Sequence, residues 1–344
     1  TFRGDHLFSF FVARQMKSDQ KFAAQLIDSD GLFKHYREVT VYGELEGTAV
    51  GDVLDSMYAL LSEIETQLLE DYFREGIDLT TEWEKTCADG DTEGNEAALS
   101  AATTELNGRA PTTEDADRID NAELANVSRR RGIAMRNTVR EAEARLLVGM
   151  RLYSLLLKNA LHIEAKDKLR HLEKLFDTAE LWVGFMCSCR EAITHYPIVI
   201  AGGVRFINFD VVVDPQKAAR DFKYTAPSTV SKLLAASLRN PQMGAALRKV
   251  LPKLEPMSAL FARDALLEMP DANNRKAYID SLMDVGDKSL LTCSLRTLRS
   301  KYLAAGRKRE QRQFLEAIVD EIAKDKRIAG KTDFAKMRKA RILQ

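Results

Sequence analysis

AEARLLVGMRLYSLLLKNALHIEAKDKLRHLEKLFDTAELWVGFMCSCREAITH, residues 142–195, is the stretch that decides the fold. Leu146, Leu147, Met150, Tyr153, Leu156, Leu157 and Leu161 recur three and four apart, and Val139 extends the pattern backwards. That spacing lines one side of a helix. The rhythm continues through Leu169, Leu172, Leu175, Phe176, Leu181 and Phe185 to Ile193, which predicts two or three helices forming the central core. Asn126 or Ser128 can cap the first of them, because a short polar side chain satisfies an open N–H of the first turn. Pro197 ends the run.

On the C-terminal side, Ile198 to Ala201 and Val204 to Phe209 flank Gly202 and Gly203. Two apolar runs across a Gly-Gly pair predict a small β-hairpin at about 198–213, with Val211 to Val213 as an extension. From Pro227 onward, Pro227-Ser228, Asn240-Pro241, Glu255-Pro256 and Pro270-Asp271 read as helix starts. Two longer helices follow, near 288–304 and 307–326. On the N-terminal side, Phe8 to Leu26 reads as one amphipathic helix with Phe8, Phe11, Val12, Phe22 and Leu26 on its apolar face. Val50 to Phe73 is a second, stopped by Gly76. Tyr36 to Tyr42, with Val39, Thr40 and Val41, reads as a short extra strand closed by Gly43 (37–42).

The expected fold is therefore mostly α, a multi-helix array with one small hairpin. No fixed repeat period is present. Asp89 to Asp120 has only Leu99, Leu106 and Ile119 as large aliphatics. Such a segment gains too little burial to offset its ordering entropy and reads as an acidic flexible insertion. The expected organisation is an N-terminal helical region (1–88), the insertion (89–125), a central helical core with the hairpin (126–226) and a C-terminal array of short helices with a basic tail (227–344).

The 344 residues balance 51 acidic against 51 basic side chains, yet the two signs are sorted along the chain. Glu44 to Asn126 holds 22 acidic and 4 basic residues; Val127 to Phe176 holds 12 basic and 5 acidic, and Arg296 to Gln344 holds 15 basic and 6 acidic. Three readings follow. The blocks face one another within the chain, they steer assembly with other subunits or other copies, or the basic stretches bind an outside polyanion. The last reading rests on Arg129, Arg130, Arg131, Lys336, Arg338, Lys339 and Arg341. Aromatics in the basic C-terminal stretch, Tyr302, Phe314 and Phe334, are too few for a base-stacking platform.

Signatures of chemistry are sparse. There is no phosphate-binding G-x-x-x-x-G-K-[ST] and no G-x-S-x-G. Cys187, Cys189 and His195 form C-x-C-x5-H with His171 as the one nearby addition; the spacing suits buried free thiols better than a zinc tetrahedron. Neither a metal nor a cofactor is expected. Paired carboxylates such as Asp52 with Asp55 or Glu63 with Glu65 fit a solvated acidic face. Asp5 and His6 have no nucleophile beside them.

Arg190-Glu191-Ala192-Ile193-Thr194-His195 is the sharpest enzymatic pattern. Histidine titrates near neutral pH and arginine neutralises a developing phosphorane charge. Arg-x4-His near a helix end resembles the active-site motif of the HEPN ribonucleases. The resemblance covers six residues and implies that Arg190 and His195 act together on an RNA 2′-hydroxyl and scissile phosphate, usually at a dimer interface. The family often places Asn, Asp or His directly after the arginine; here Glu191 stands there.

The favoured function is non-catalytic: an all-α subunit or adaptor of a larger multiprotein assembly, working through charge-complementary surfaces. An RNA- or DNA-binding protein and a HEPN-like ribonuclease are the alternatives. Other protein subunits or self-association are the expected partners, with nucleic acid as an alternative and no integral membrane insertion, because no uncharged apolar run approaches about 18 residues. Four cysteines in this length fit a reducing, intracellular setting, with cytosol and mitochondrial matrix equally open.

Overall fold

The computed structural model describes residues 5–27, 31–45, 51–88, 142–160, 163–196, 198–201, 204–207, 215–305 and 309–324. In chain order the elements are α1 (Asp5–Ser18), α2 (Gln20–Leu26), α3 (Gly31–Lys34), α4 (Tyr36–Glu44), α5 (Gly51–Arg74), α6 (Glu82–Ala88), α7 (Ala142–Asn159), α8 (Ala165–Ser188), α9 (Arg190–His195), β1 (Ile198–Ala201), β2 (Val204–Ile207), α10 (Pro215–Leu238), α11 (Pro241–Val250), α12 (Pro256–Leu266), α13 (Ala272–Met283), α14 (Lys288–Ala304) and α15 (Arg309–Ile322). This is the mostly α array with a two-stranded antiparallel hairpin that the apolar spacing predicts. The insertion at 89–125 and the hairpin extension at Val211 to Val213 lie outside the described residues.

Helix α8 is the hub. Its buried residues run from His171 through Leu175, Phe176, Trp182 and Phe185 to Cys187, and it touches α5, α6, α7, α10, α11 and α12. One approach is close enough to demand glycine. A Cβ on Gly184 would lie 2.0 Å from the Leu79 carbonyl oxygen. The large core gathers Leu54, Leu61, Leu68, Leu157, Leu175, Phe185, Val230 and Phe261. A smaller cluster, including Tyr278, Leu295, Leu298, Leu315 and Ile318, holds α13, α14 and α15 together.

Helix ends follow their local chemistry. Asn240 accepts from the Gln242 N–H at 3.0 Å, Asp271 from Asn273 at 2.9 Å, and Asp287 from Leu290 at 2.8 Å. Gly76, at φ +80°, closes α5 with bonds from its own N–H to the Phe73 carbonyl and from Ile77 to Tyr72, both 3.0 Å. This pair of bonds satisfies carbonyls that the last turn leaves open.

Three expectations are corrected. Residues 37–42 are not a strand but part of α4. Thr40 Oγ1 donates to the Tyr36 carbonyl one turn back at 2.7 Å, and Val39 and Tyr42, three apart, both point into the core. Packing against α7 overrides the β-branched composition. Gly43 does not end this element; it lets α4 lie against Leu156, whose Cδ2 would be 2.9 Å from an added Cβ.

Pro227-Ser228 does not start a helix. Pro227 lies inside α10. Proline leaves the carbonyl four residues earlier without its helical donor. That carbonyl, of Lys223, accepts instead from Trp83 Nε1 of α6 at 3.3 Å. The next carbonyl, Tyr224, takes the Cys293 thiol of α14 at 3.6 Å. Partners distant in sequence thus carry the helix through its proline.

Phe8 to Leu26 is two helices, α1 and α2, separated at Asp19, whose side chain accepts from the Phe22 N–H at 3.1 Å. The expected apolar face is also rotated. Ser9, Ala13 and Met16 face inward, while Phe8 and Phe11 face out.

Candidate functional site

The Arg190–His195 pattern occupies α9, which turns off α8 at Cys189. His195 is exposed and its Nδ1 lies 2.7 Å from the Glu191 carbonyl. A carbonyl only accepts, so Nδ1 is the donor in this contact. Arg190 is half-buried at the start of the same helix. Five positions on an α-helix correspond to a rotation of about 140°, so α9 directs these two side chains to different sides. The basic residues Arg129, Arg130, Arg131, Lys336, Arg338, Lys339 and Arg341 lie outside the described residues.

The acidic block and the first basic block meet at α5 and α8. Acidic α5 lies beside α8, and there Asp55 pairs with Arg170 and Glu65 with Lys174. Glu65 is not on a solvated face: its carboxylate also accepts from Thr178 Oγ1. The basic C-terminal stretch pairs instead with carboxylates outside the acidic block. Arg296 pairs with Asp221 at 3.2 Å, Lys301 with Glu268, and Arg312 with Glu316 at 3.0 Å.

The most elaborate polar contact is one the sequence did not suggest. Tyr153 of α7 and His171 of α8, both buried, share a short hydrogen bond between the phenol and Nδ1. Burial raises the Tyr153 pKa. It also lowers that of His171, with Arg170 adding to the effect and Asp55 and Asp167 opposing it. A protonated phenol therefore donates to Nδ1, which leaves the Nε2 hydrogen facing Asp55 Oδ1 at 3.6 Å. This acid–imidazole–phenol series joins α5, α8 and α7. Tyr153 and His171 have almost no solvent access, so the contact fixes helix positions rather than presenting a base to substrate.

A second buried polar group sits in α12. The Arg263 guanidinium donates to Ser294 Oγ from Nε at 3.2 Å and from Nη2 at 2.7 Å, and to Ser281 Oγ from Nη1 at 3.2 Å. Asp264 Oδ2 accepts from Ser231 at 2.7 Å. The Tyr278 hydroxyl has no protein hydrogen-bond partner among the described residues, and the Thr297 and Ser228 hydroxyls turn to Asp264 and Cys293. Burial pushes the Asp264 carboxyl up to about 6, with Arg263 as the main opposing pull.

The thiols are chemically quiet. Burial pushes Cys87 up to about 11 and Cys187 up to about 12, and raises Cys189 and Cys293 as well. Thiols held in the protonated form are poor nucleophiles. Among the described residues no group of three His, Cys, Asp or Glu is placed to hold a metal ion, and no helix is long and apolar enough to cross a membrane.

Two exposed apolar faces stand out. The hairpin pairs Ile198 with Ile207 and Ile200 with Arg205. Its inner face, including Val199 and Phe206, packs on the core, with the Phe206 ring 6.1 Å from that of Phe185. Its outer face presents Ile198, Ile200 and Ile207, and Tyr196 is exposed just before it. The second face is on α1, where Leu7, Phe8, Phe10 and Phe11 are all exposed. The sequence signal for the first is the alternation of strand side chains, which a uniformly apolar run conceals. For the second it is the inward set Ser9, Ala13 and Met16, too small to draw attention as a core face. Comparison with protein-family models, with curated proteins and with solved structures finds no match to this chain.

Proposed function

We propose that the chain is a non-catalytic α-helical subunit or adaptor of a larger multiprotein assembly. One observation carries the reading: a hairpin whose inner face is anchored on α8 holds three isoleucines out into solvent. An anchored scaffold with a contiguous outward apolar face is suited to docking, because the partner meets a surface that needs little ordering. The buried ionisable groups support the same reading, since they are spent on helix packing rather than turned to a cleft.

The test is recovery of the tagged protein from its native source at low and high salt, for wild type and for Ile200→Glu. A stoichiometric companion retained by the wild type and lost from Ile200→Glu is the expected result. A monomer without companion at both salts sinks the proposal.

A further inference from the structure

Helix α1 is mounted the wrong way round for a helix that only serves its own core. Its inward residues are Ser9, Ala13 and Met16, whereas Leu7, Phe8, Phe10 and Phe11 point out with 51, 65, 39 and 60% of their surface exposed. The rotation is pinned, because Ser9 Oγ donates to the buried carboxylate of Glu38 on α4 at 2.8 Å. Turning the phenylalanines inward would break that bond and leave Glu38 buried without it.

The outward face changes character along its length. Leu7, Phe10 and Phe11 are followed, three to seven positions on and therefore on the same side, by Arg14. From Leu7 to Ser18 the helix carries Arg14 and Lys17 and no acidic residue. Lys21 is exposed at the start of α2; Asp5 opens α1 ahead of the apolar face, and Asp19 is engaged as the α2 cap.

From this geometry we propose that α1 docks on an anionic lipid surface, its Leu and Phe side chains entering the acyl boundary and Arg14 and Lys21 meeting lipid phosphates. This goes beyond the hairpin reading and does not depend on it. Leucine and phenylalanine offer no hydrogen-bonding atom, so the face asks its partner for hydrocarbon and negative charge alone, the two things a bilayer interface supplies. The area agrees. At about 200 Å² per fully exposed large side chain, the four present on the order of 400 Å². A stable interface between two chains takes about 800 Å² from each. By itself the face is half of what a second copy of the chain needs, and sufficient for a peripheral helix that dips a few side chains into a membrane.

The test uses the full chain in sedimentation with vesicles of phosphatidylcholine, with and without about one-third phosphatidylserine. Wild type is expected to pellet with the anionic vesicles and to be released by high salt. The Phe8→Ser/Phe11→Ser double variant is expected to lose about tenfold or more in partitioning. Arg14→Gln and Lys21→Gln should each lose about fivefold, and on anionic vesicles alone. Folding midpoint and oligomeric state should be those of the wild type throughout. Failure of wild type to pellet, or equal pelleting of the Phe variant, overturns the proposal. A lowered folding midpoint in the Phe variant overturns it in favour of coverage by the chain itself, and a changed oligomeric state overturns it in favour of a second copy.

Discussion

Asp264 gives the folded chain a stability component that runs opposite to ordinary acid denaturation. Its carboxyl is buried, accepts from Ser231 through Oδ2, and is pushed up from 3.8 to about 6. Between these values the folded protein holds a proton that the unfolded chain releases. Stability from this group is therefore complete below the unfolded value and declines as pH rises through the window to about 6. The whole decline is about 3 kcal/mol, since every tenfold change in proton affinity is worth about 1.4 kcal/mol. About 2 kcal/mol of it falls between about pH 4.5 and pH 7.5. Asp264→Asn keeps the shape and cannot ionise. Its absolute stability also carries the loss of the one carboxylate beside the buried Arg263, a cost of the same order. The difference between variant and wild type removes that offset and cancels every other titrating group. Urea midpoints measured for both proteins across that pH range should give a difference curve that moves in favour of the variant by about 2 kcal/mol as pH rises. A flat difference curve, or one that moves in favour of wild type, refutes the reasoning.

Three further outcomes are expected. Gly184→Ala should destabilise by about 2 kcal/mol or more, after its gain in helix propensity, because the added carbon would meet backbone at 2.0 Å. Gly149→Ala meets only the tip of Leu61 at 2.9 Å and should stay within about 1 kcal/mol of wild type; equal effects in thermal unfolding would contradict the assignment. Glu65→Gln should cost about 3 kcal/mol by stranding the mostly buried Lys174, and the double variant Glu65→Leu/Lys174→Met should recover most of it in chemical denaturation. Trp83→Phe should cost about 1–3 kcal/mol by leaving the Lys223 carbonyl without a donor, and much less in a Pro227→Ala background, where the helix supplies its own N–H; additive effects in that double-mutant cycle would discount the bond.

The helical class was legible because it rests on long runs of one period. Lys288 to Ala304 has its expected bounds, and Asp287 caps its first turn in the structure. The hairpin was legible because Pro197 and the two glycines punctuate it. What failed depends on contacts made across the chain. Val39, Thr40 and Val41 favour a strand until Leu156 and its neighbours offer a helix a better place. Pro227 reads as a start unless an indole 140 residues away is known to complete its helix. The candidate surfaces failed for a related reason. Spacing shows that a helix has two faces but not which one the protein keeps for itself, and at α1 it keeps the smaller side chains. Tyr153, His171 and Asp55 carry no motif at all, because their relation exists only after α5, α7 and α8 have come together.

The bond from Trp83 to Lys223 also sets an order in time. At about 5–20 residues per second, a ribosome completes Lys223 on the order of ten seconds after it has made α6. Throughout that interval the indole has no carbonyl to reach, and α6 cannot take its final seat. The nascent polypeptide thus carries an undocked indole while everything from α7 to the first turns of α10 is being made.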